Sequence, residues 1–459
     1  MSSSILRITP EEFDTVEKRG KYVISIIGCG RVGILHACLF AEAGFKVICT
    51  DTDQTVVNQM TRGRAPFSKP EIEAKLKNQV KATRISATTD TGTAVSQSDI
   101  IIITAPVKID EKKKPTFSDV ESTCKRVGSS LRRDSLVIVT NVAGLNIIEG
   151  TVKELLENTS GFKVGTDLGL AYSPIHFTSA QKLETAIIPQ RMLAAADKNS
   201  LNAASTILET INRNGIKKTD SIKTAEIATL FEAVREDVNV ALANEFALFC
   251  EKTGIDYLEA RKLLESSNNP KIPTPTLTDG DTQTKAYIIL DEAENLNAKL
   301  RITRIARDTN EEIVGHAVNL AKDALRNCGK TLRRARVSLL GISQTPNMKD
   351  SPKEAVKKLI EMLDVRGAKV SLYDPYFSSE ELTEVQGYFK KNLNEAIEKA
   401  DCIMILTGHD QFKRLNLNRL KVMMKMPASI VDLEGIIEPD KFEKEGFIYR
   451  GLGRGVWTK

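Results

Sequence analysis

The sequence predicts an α/β protein in three parts: an N-terminal Rossmann domain over 1–215, a central long-helix domain over 216–330, and a second, smaller Rossmann-like domain over 331–459. Three observations carry this reading. A strand, a glycine-rich turn, a helix and a second strand ending in acid run through "KYVISIIGCGRVGILHACLFAEAGFKVICTDTD". An apolar pattern of helical period continues through "AEIATLFEAVREDVNVALANEFALFCEKTGID". The order of strand, glycine turn, helix, glycine, strand and acid then returns in "RVSLLGISQTPNMKDSPKEAVKKLIEMLDVRGAKVSLYDPYF".

In the first unit the helix places apolar residues at 34, 35, 38, 39 and 41, one face of a 3.6-residue period. Gly28-Cys29-Gly30-Arg31-Val32-Gly33 is a GxGxxG directly after a strand and opening a helix, with Asp51 lying 18 residues beyond the last glycine. Gly28 allows a tight turn, Gly30 lets backbone approach a pyrophosphate, and Gly33 permits close helix-to-strand packing. The helix N-terminus attracts phosphate charge. Asp51 is the expected acceptor for the adenosine ribose hydroxyls, which favours NAD over NADP, and Asp53 is a second candidate for that role. Gly28, Gly30, Arg31, Val32, Gly33 and Asp51 are therefore the expected NAD contacts. The bland alternative, a glycine turn that holds no ligand, is disfavoured by this strand-turn-helix-strand context.

Further strands are expected at "DIIIITAP" (99–106) and "DSLVIVTN" (134–141), as in a parallel doubly wound sheet. From Thr224 one long amphipathic helix is expected to run to a Gly stop, and a second long helix is read through "NLNAKLRITRIARDTNEEIVGHAVNLAKDALRNCGK". Between them, "NNPKIPTPTL" forbids regular helix, so "TDGDTQTKAYIIL" reads as an irregular loop held between rigid elements, a place where catalytic groups are often presented. In the third part Asp374 mirrors Asp51, yet no GxGxxG precedes it, so a second dinucleotide site is not expected.

Composition excludes several classes. With 459 residues, 41% hydrophobic and 27% charged, the chain reads as ordinary globular domains, and a net charge of +5 with interspersed signs makes no case for nucleic acid. "IDEKKKPTF" reads as a solvated loop rather than a binding patch. The run "IIIITAPV" is only eight long, far below the roughly 18 residues that span a bilayer, and the start lacks a signal-peptide core, so a cytoplasmic protein is expected. Seven scattered cysteines read as reduced core thiols, and four dispersed His leave no expected metal site.

Taken in order, "IIGCGRVG", "TDTDQTVVNQMTRGRAPF", "IIITAP", "AYSP", the long-helix segment, "LLGIS" with "SPKEAV", "GAKVSLYDP", "ILTGHDQF" and "YRGLGRG" resemble the UDP-glucose/GDP-mannose dehydrogenase family, and most its UDP-N-acetylmannosamine dehydrogenase branch. The resemblance covers nearly the whole chain. It implies NAD-dependent oxidation of a sugar C6 hydroxyl to a carboxylate through a cysteine-bound thiohemiacetal and thioester, in the supply of precursors for cell-envelope polysaccharides and glycans. It also implies a homodimer made by the long helix and a C-terminal domain of the UDP-binding type.

Where the resemblance implies chemistry, this chain departs from it. The family's nucleophile lies in a Gly-Gly-x-Cys segment, with an Asp four residues on, between the two long helices; here no cysteine lies between Cys250 and Cys328. Superposition puts Asp281 near the cysteine's place and Lys285 near the aspartate's. The oxyanion-binding Lys and Asn of the family match Thr229 and Ala233, and its proton-transferring Glu matches Ile175. In the C-terminal domain a Lys matches Thr345, an Arg is deleted before "SPK", and Glu434 stands where another Arg is usual. Cys250, ending the long helix among apolar neighbours, reads as a core thiol rather than a replacement nucleophile.

Three readings follow. The site is rebuilt around Asp279, Asp281 and Lys285 for a two-electron hydride transfer on a nucleotide sugar, with a carboxylate or Lys as general base. Alternatively the chain is an NAD-binding pseudoenzyme that pairs with itself or with an active paralogue as a heterodimer. The third is the family's ordinary oxidation. Asp237, Asn239, Asn244 and Glu245, retained on the long helix, read as dimer-stabilising or capping residues, and His409 as structural.

Overall fold

In the computed structural model, residues 4–65, 70–140, 144–175, 190–264, 272–277, 281–349 and 352–457 are described. The chain divides into two compact units. One comprises Met1–Glu232 with Tyr287–Ala298, the other Ala233–Ala286 with Lys299–Lys459.

The first unit is built on an eight-stranded sheet in the order Ile216–Lys218, Arg191–Ala195, Gly169–Tyr172, Leu136–Val139, Ile100–Ile103, Val23–Ile27, Lys46–Thr50, Ile85–Thr88. All neighbours are parallel except Gly169–Tyr172 with Arg191–Ala195. The two-residue side-chain period explains the unbroken apolar runs. Ile100, Ile102, Leu136 and Ile138 enter one core layer, while Ile101, Ile103, Val137 and Val139 enter the opposite one. A sheet buried on both faces needs apolar residues at every position, which polar alternation would not allow.

The basic run near Lys112 forms part of a small hairpin, Lys108–Ile109 against Pro115–Thr116. Lys114 Nζ donates to Asp291 at 2.6 Å and Glu294 at 2.8 Å, so two acids of the same unit take up this charge.

The second unit carries a five-stranded parallel sheet in the order Lys369–Tyr373, Arg336–Leu340, Cys402–Ile405, Ser429–Asp432, Ile448–Gly451. The helix Glu354–Val365 turns Val356, Leu359, Ile360 and Leu363 into its core. The long helix runs Ile222–Thr253. Its residues Asp237 and Asn244 are buried in a polar network with the helix Arg301–Asn327. Arg307 donates to Asp237 Oδ1 at 2.6 Å, Asn310 Nδ2 donates to the same oxygen at 3.0 Å, and Asn244 Nδ2 donates to Asn310 Oδ1 at 2.9 Å. Asn244 Oδ1 also accepts the Thr276 N–H at 2.9 Å, which pins the proline-rich segment to the helix. Asn239 and Glu245 are exposed and take no part in this network.

Two expectations are corrected here. The supposed loop after the prolines is helical from Asp281 to Asn295, and the next helix begins at Arg301 rather than at Asn295. The physical reason is burial. Ala286, Tyr287, Ile288, Ile289 and Leu290, five consecutive positions, are all buried, so this stretch of the helix is apolar on every side and shows no amphipathic period to read.

Candidate functional site

The glycine turn follows the strand Val23–Ile27 and opens the helix Arg31–Ala43. Gly28 sits at φ +102°, a conformation that side chains oppose. A Cβ on Gly33 would lie 1.9 Å from the Gly28 carbonyl oxygen, whereas a Cβ on Gly30 would meet nothing within 4 Å. The third glycine is therefore required by packing, and the middle one faces open space. That is the cradle a pyrophosphate needs, so these residues fit an NAD cofactor.

Asp51 closes the turn from the neighbouring strand. Its Oδ2 accepts the Cys29 N–H at 2.8 Å and its Oδ1 the Asp53 N–H at 3.0 Å, which fixes the carboxylate beside the glycines. Asp53 caps the helix Gln54–Thr61 by accepting the Thr55 N–H at 2.7 Å. Thr104 Oγ1 donates toward the carbonyls of Ile27 and Gly28 at 3.0 and 2.9 Å, tying the turn to the adjacent strand.

Beneath this turn lies a cluster that sequence reasoning missed. His36, fully buried, contacts Arg191 at 3.1 Å, and Arg191 also donates to Ser173 Oγ at 2.6 Å and to its carbonyl at 3.0 Å. Burial, aided by the Arg191 charge, pushes the imidazole down to about 3, and burial lowers Arg191 to about 9. At neutral pH the histidine is an uncharged acceptor for a buried cation. A lone His within an apolar helix face carries no sequence signal for this role.

The positions where the resemblance implies catalysis are buried. Ile175 is 4% exposed, Ala233 0% and Lys285 3%; Thr229 is 1% exposed and returns its hydroxyl to the Ala225 carbonyl at 2.9 Å. Lys285 lies one helical turn after Asp281. Asp279 and the Asp281 side chain fall outside the described residues. Glu226, on the first turns of the long helix, accepts the N–H groups of Asn146 and Ile148 at 2.7 and 2.9 Å. All seven cysteines are buried and free, and burial raises the Cys250 thiol, disfavouring its nucleophilic form.

In the second unit, Asp374 ends its strand as Asp51 does. Its Oδ2 accepts the Ile342 and Ser343 N–H groups at 2.8 and 3.1 Å and meets His409 Nε2 at 3.1 Å. His409 Nδ1 accepts the Asn347 N–H at 2.9 Å, which assigns the proton to Nε2. Burial raises the Asp374 carboxyl, but the His409 contact and the backbone donors outweigh it and hold it below the usual range. Near this turn, Lys353 Nζ donates to the Leu406 carbonyl at 2.5 Å and lies 3.2 Å from Glu434. Among the described residues no cluster of His, Cys, Asp or Glu has metal-binding geometry, and no helix is long and apolar enough to cross a membrane.

A doubly wound N-terminal sheet with an open glycine cradle and a strand-end acid defines a dinucleotide-binding protein of the dehydrogenase class. The chain belongs to the UDP-glucose/GDP-mannose dehydrogenase family. It matches that family's NAD binding domain over residues 22–212, its central domain over 223–312 and its UDP binding domain over 338–439. It is 27% identical over 455 residues to a UDP-N-acetyl-D-mannosamine dehydrogenase of Methanococcus maripaludis, covering 96% of this chain and 100% of the relative. Among solved structures, the UDP-D-ManNAc dehydrogenase of Pyrococcus horikoshii is similar at TM-score 0.82 and 27% identity, covering 95% of this chain and 100% of that one. An NDP-N-acetyl-D-galactosaminuronic acid dehydrogenase of Methanosarcina mazei is similar at TM-score 0.73 and 25% identity, covering 98% and 99%. NAD is thus its cofactor, and its C-terminal domain is of the UDP-binding kind.

Proposed function

We propose that this chain oxidises a hydroxyl of a nucleotide sugar with NAD by a route that does not pass through a cysteine thioester. The single observation that carries this is a complete dinucleotide cradle in a chain with no cysteine between residues 250 and 328. When bound, NAD accepts a hydride. The chain's residues have to hold the sugar and take the hydroxyl proton, so one two-electron transfer yields a carbonyl product. Asp281 and Lys285, at the head of one helix, are the proposed acid-base residues, with Asp279 just before them. Gly28, Gly30, Arg31, Val32, Gly33 and Asp51 are the proposed NAD contacts.

The protein acts as a homodimer in this reading. Leu242, Phe246 and Phe249 recur at helical spacing on the long helix and are 42, 42 and 66% exposed, a stripe suited to a second copy.

Calorimetric titration with NAD, followed by NADH assays with UDP-N-acetylmannosamine and UDP-glucose, tests the proposal. One NADH per sugar is expected. Two NADH per sugar would restore the four-electron route, and NAD binding with no NADH from either sugar would replace the enzyme by a non-catalytic NAD-binding chain.

A further inference from the structure

The strands of the second unit follow the order 2-1-3-4-5, whose topological switch point lies between Arg336–Leu340 and Cys402–Ile405. Ligands of open parallel sheets bind at the carboxyl ends of the strands flanking that point. Lys353 stands there. It is the N-cap residue of the helix Glu354–Val365, its backbone N–H donates to Ile342 just past the first strand at 2.8 Å, and its ammonium reaches Leu406 just past the third.

Glu434 counters that charge. It extends from the end of the next strand, Ser429–Asp432, and is held there because Asp432 Oδ1 accepts its N–H at 3.1 Å. The Lys353 side chain is 5% exposed and the Glu434 side chain 21%, so the acid is the more accessible member of the pair.

We propose that Lys353 is the cation that receives the diphosphate of a nucleotide sugar in this domain, and that Glu434 is the counter-ion the ligand must displace. The pair then sets specificity and affinity: a diphosphate gains a charge-assisted contact only after the Lys353–Glu434 contact is broken. This rests on the nucleotide-sugar reading above.

The test titrates UDP into the full-length protein as wild type, Glu434→Gln, Lys353→Met and the double variant, with NAD titrated into each as a control for folding of the first unit. Glu434→Gln is expected to tighten UDP about tenfold, with a steeper salt dependence, because the amide retains a hydrogen bond to Lys353 but not the competing charge. Lys353→Met is expected to weaken UDP about tenfold or more and to abolish the gain in the double variant. Equal or weaker UDP binding by Glu434→Gln, wild-type affinity in Lys353→Met, or no UDP binding by either wild type or Glu434→Gln overturns the inference. If Lys353→Met does not fold, Glu434→Gln alone decides. NADH formation without a Glu434→Gln effect removes this inference and keeps the proposed function, whereas loss of NAD binding removes the function and leaves the UDP result standing.

Discussion

Asp51 and Cys29 are joined by a 2.8 Å hydrogen bond from the Cys29 N–H to the Asp51 carboxylate, so the acid proposed to select the ribose also shapes the glycine loop proposed to receive the pyrophosphate. The substitution Asp51→Ala is expected to weaken NAD binding by about tenfold or more, since a charge-assisted contact of about 1.5 to 3 kcal/mol is lost. It is also expected to narrow the preference for NAD over NADP, because the carboxylate no longer repels a 2′-phosphate. Parallel titrations with the two cofactors check both outcomes.

The three glycines of the motif serve different ends, and alanine substitution separates them. Gly33→Ala places a methyl 1.9 Å from the Gly28 carbonyl oxygen and forces the helix off the strand, so stability is expected to drop by about 1 to 3 kcal/mol along with NAD binding. Gly30→Ala meets no atom within 4 Å and has φ −70°, an ordinary conformation for alanine. Its melting temperature is expected to match the wild type while NAD affinity falls. Equal thermal losses in both variants would contradict the division of roles.

His36 makes the first unit acid-sensitive. Its unfolded value is near 6.5 and burial holds the folded value at about 3, so the unfolded chain takes up a proton that the folded one refuses. Stability from this residue is present above pH 6.5 and is lost as pH falls toward 3, by on the order of 4 kcal/mol over the full interval. Asp432 acts in the opposite direction in the second unit. Burial raises it from 3.8 to about 6, so its contribution favours the folded state on the acid side and is lost as pH rises through that range. The substitution His36→Gln, which cannot titrate, is expected to flatten the loss between pH 6.5 and 4, read by denaturant midpoints at each pH.

Asp237 and Arg307 form a buried pair at 1 and 2% side-chain exposure. Removing one partner strands a charge in the core. Arg307→Met is expected to destabilise by about 3 to 5 kcal/mol, whereas replacing both with apolar residues costs less. Urea unfolding of the two variants distinguishes this from a simple sum of two losses.

The exposed stripe on the long helix predicts the oligomeric state. Phe246→Glu and Phe249→Glu together place charge where apolar side chains of 42 and 66% exposure stand, and a dimer held by that stripe is expected to dissociate to monomers in sedimentation analysis. An unchanged mass would move the interface elsewhere.

The βαβ unit was legible because its signals are local: Gly28 needs a positive φ, Gly33 needs no side chain, and the apolar period of the helix continues directly from them. Asp51 was legible because the acid follows at a spacing set by one helix and one strand. The helix Asp281–Asn295 was not legible, since burial of Tyr287 through Leu290 on every side erases the periodicity by which a helix is read. Nor were the partners of His36, Asn244 and Lys353. Arg191, Thr276 and Glu434 lie 155, 32 and 81 residues away, and only chain folding brings them within hydrogen-bond distance. The sequence by itself determined the fold class, the cofactor turn and the absence of a thiol between the long helices. Tertiary structure alone decided which charges are buried, which acid opposes which cation, and which polar side chains serve packing, because those depend on desolvation and distance that no local pattern encodes.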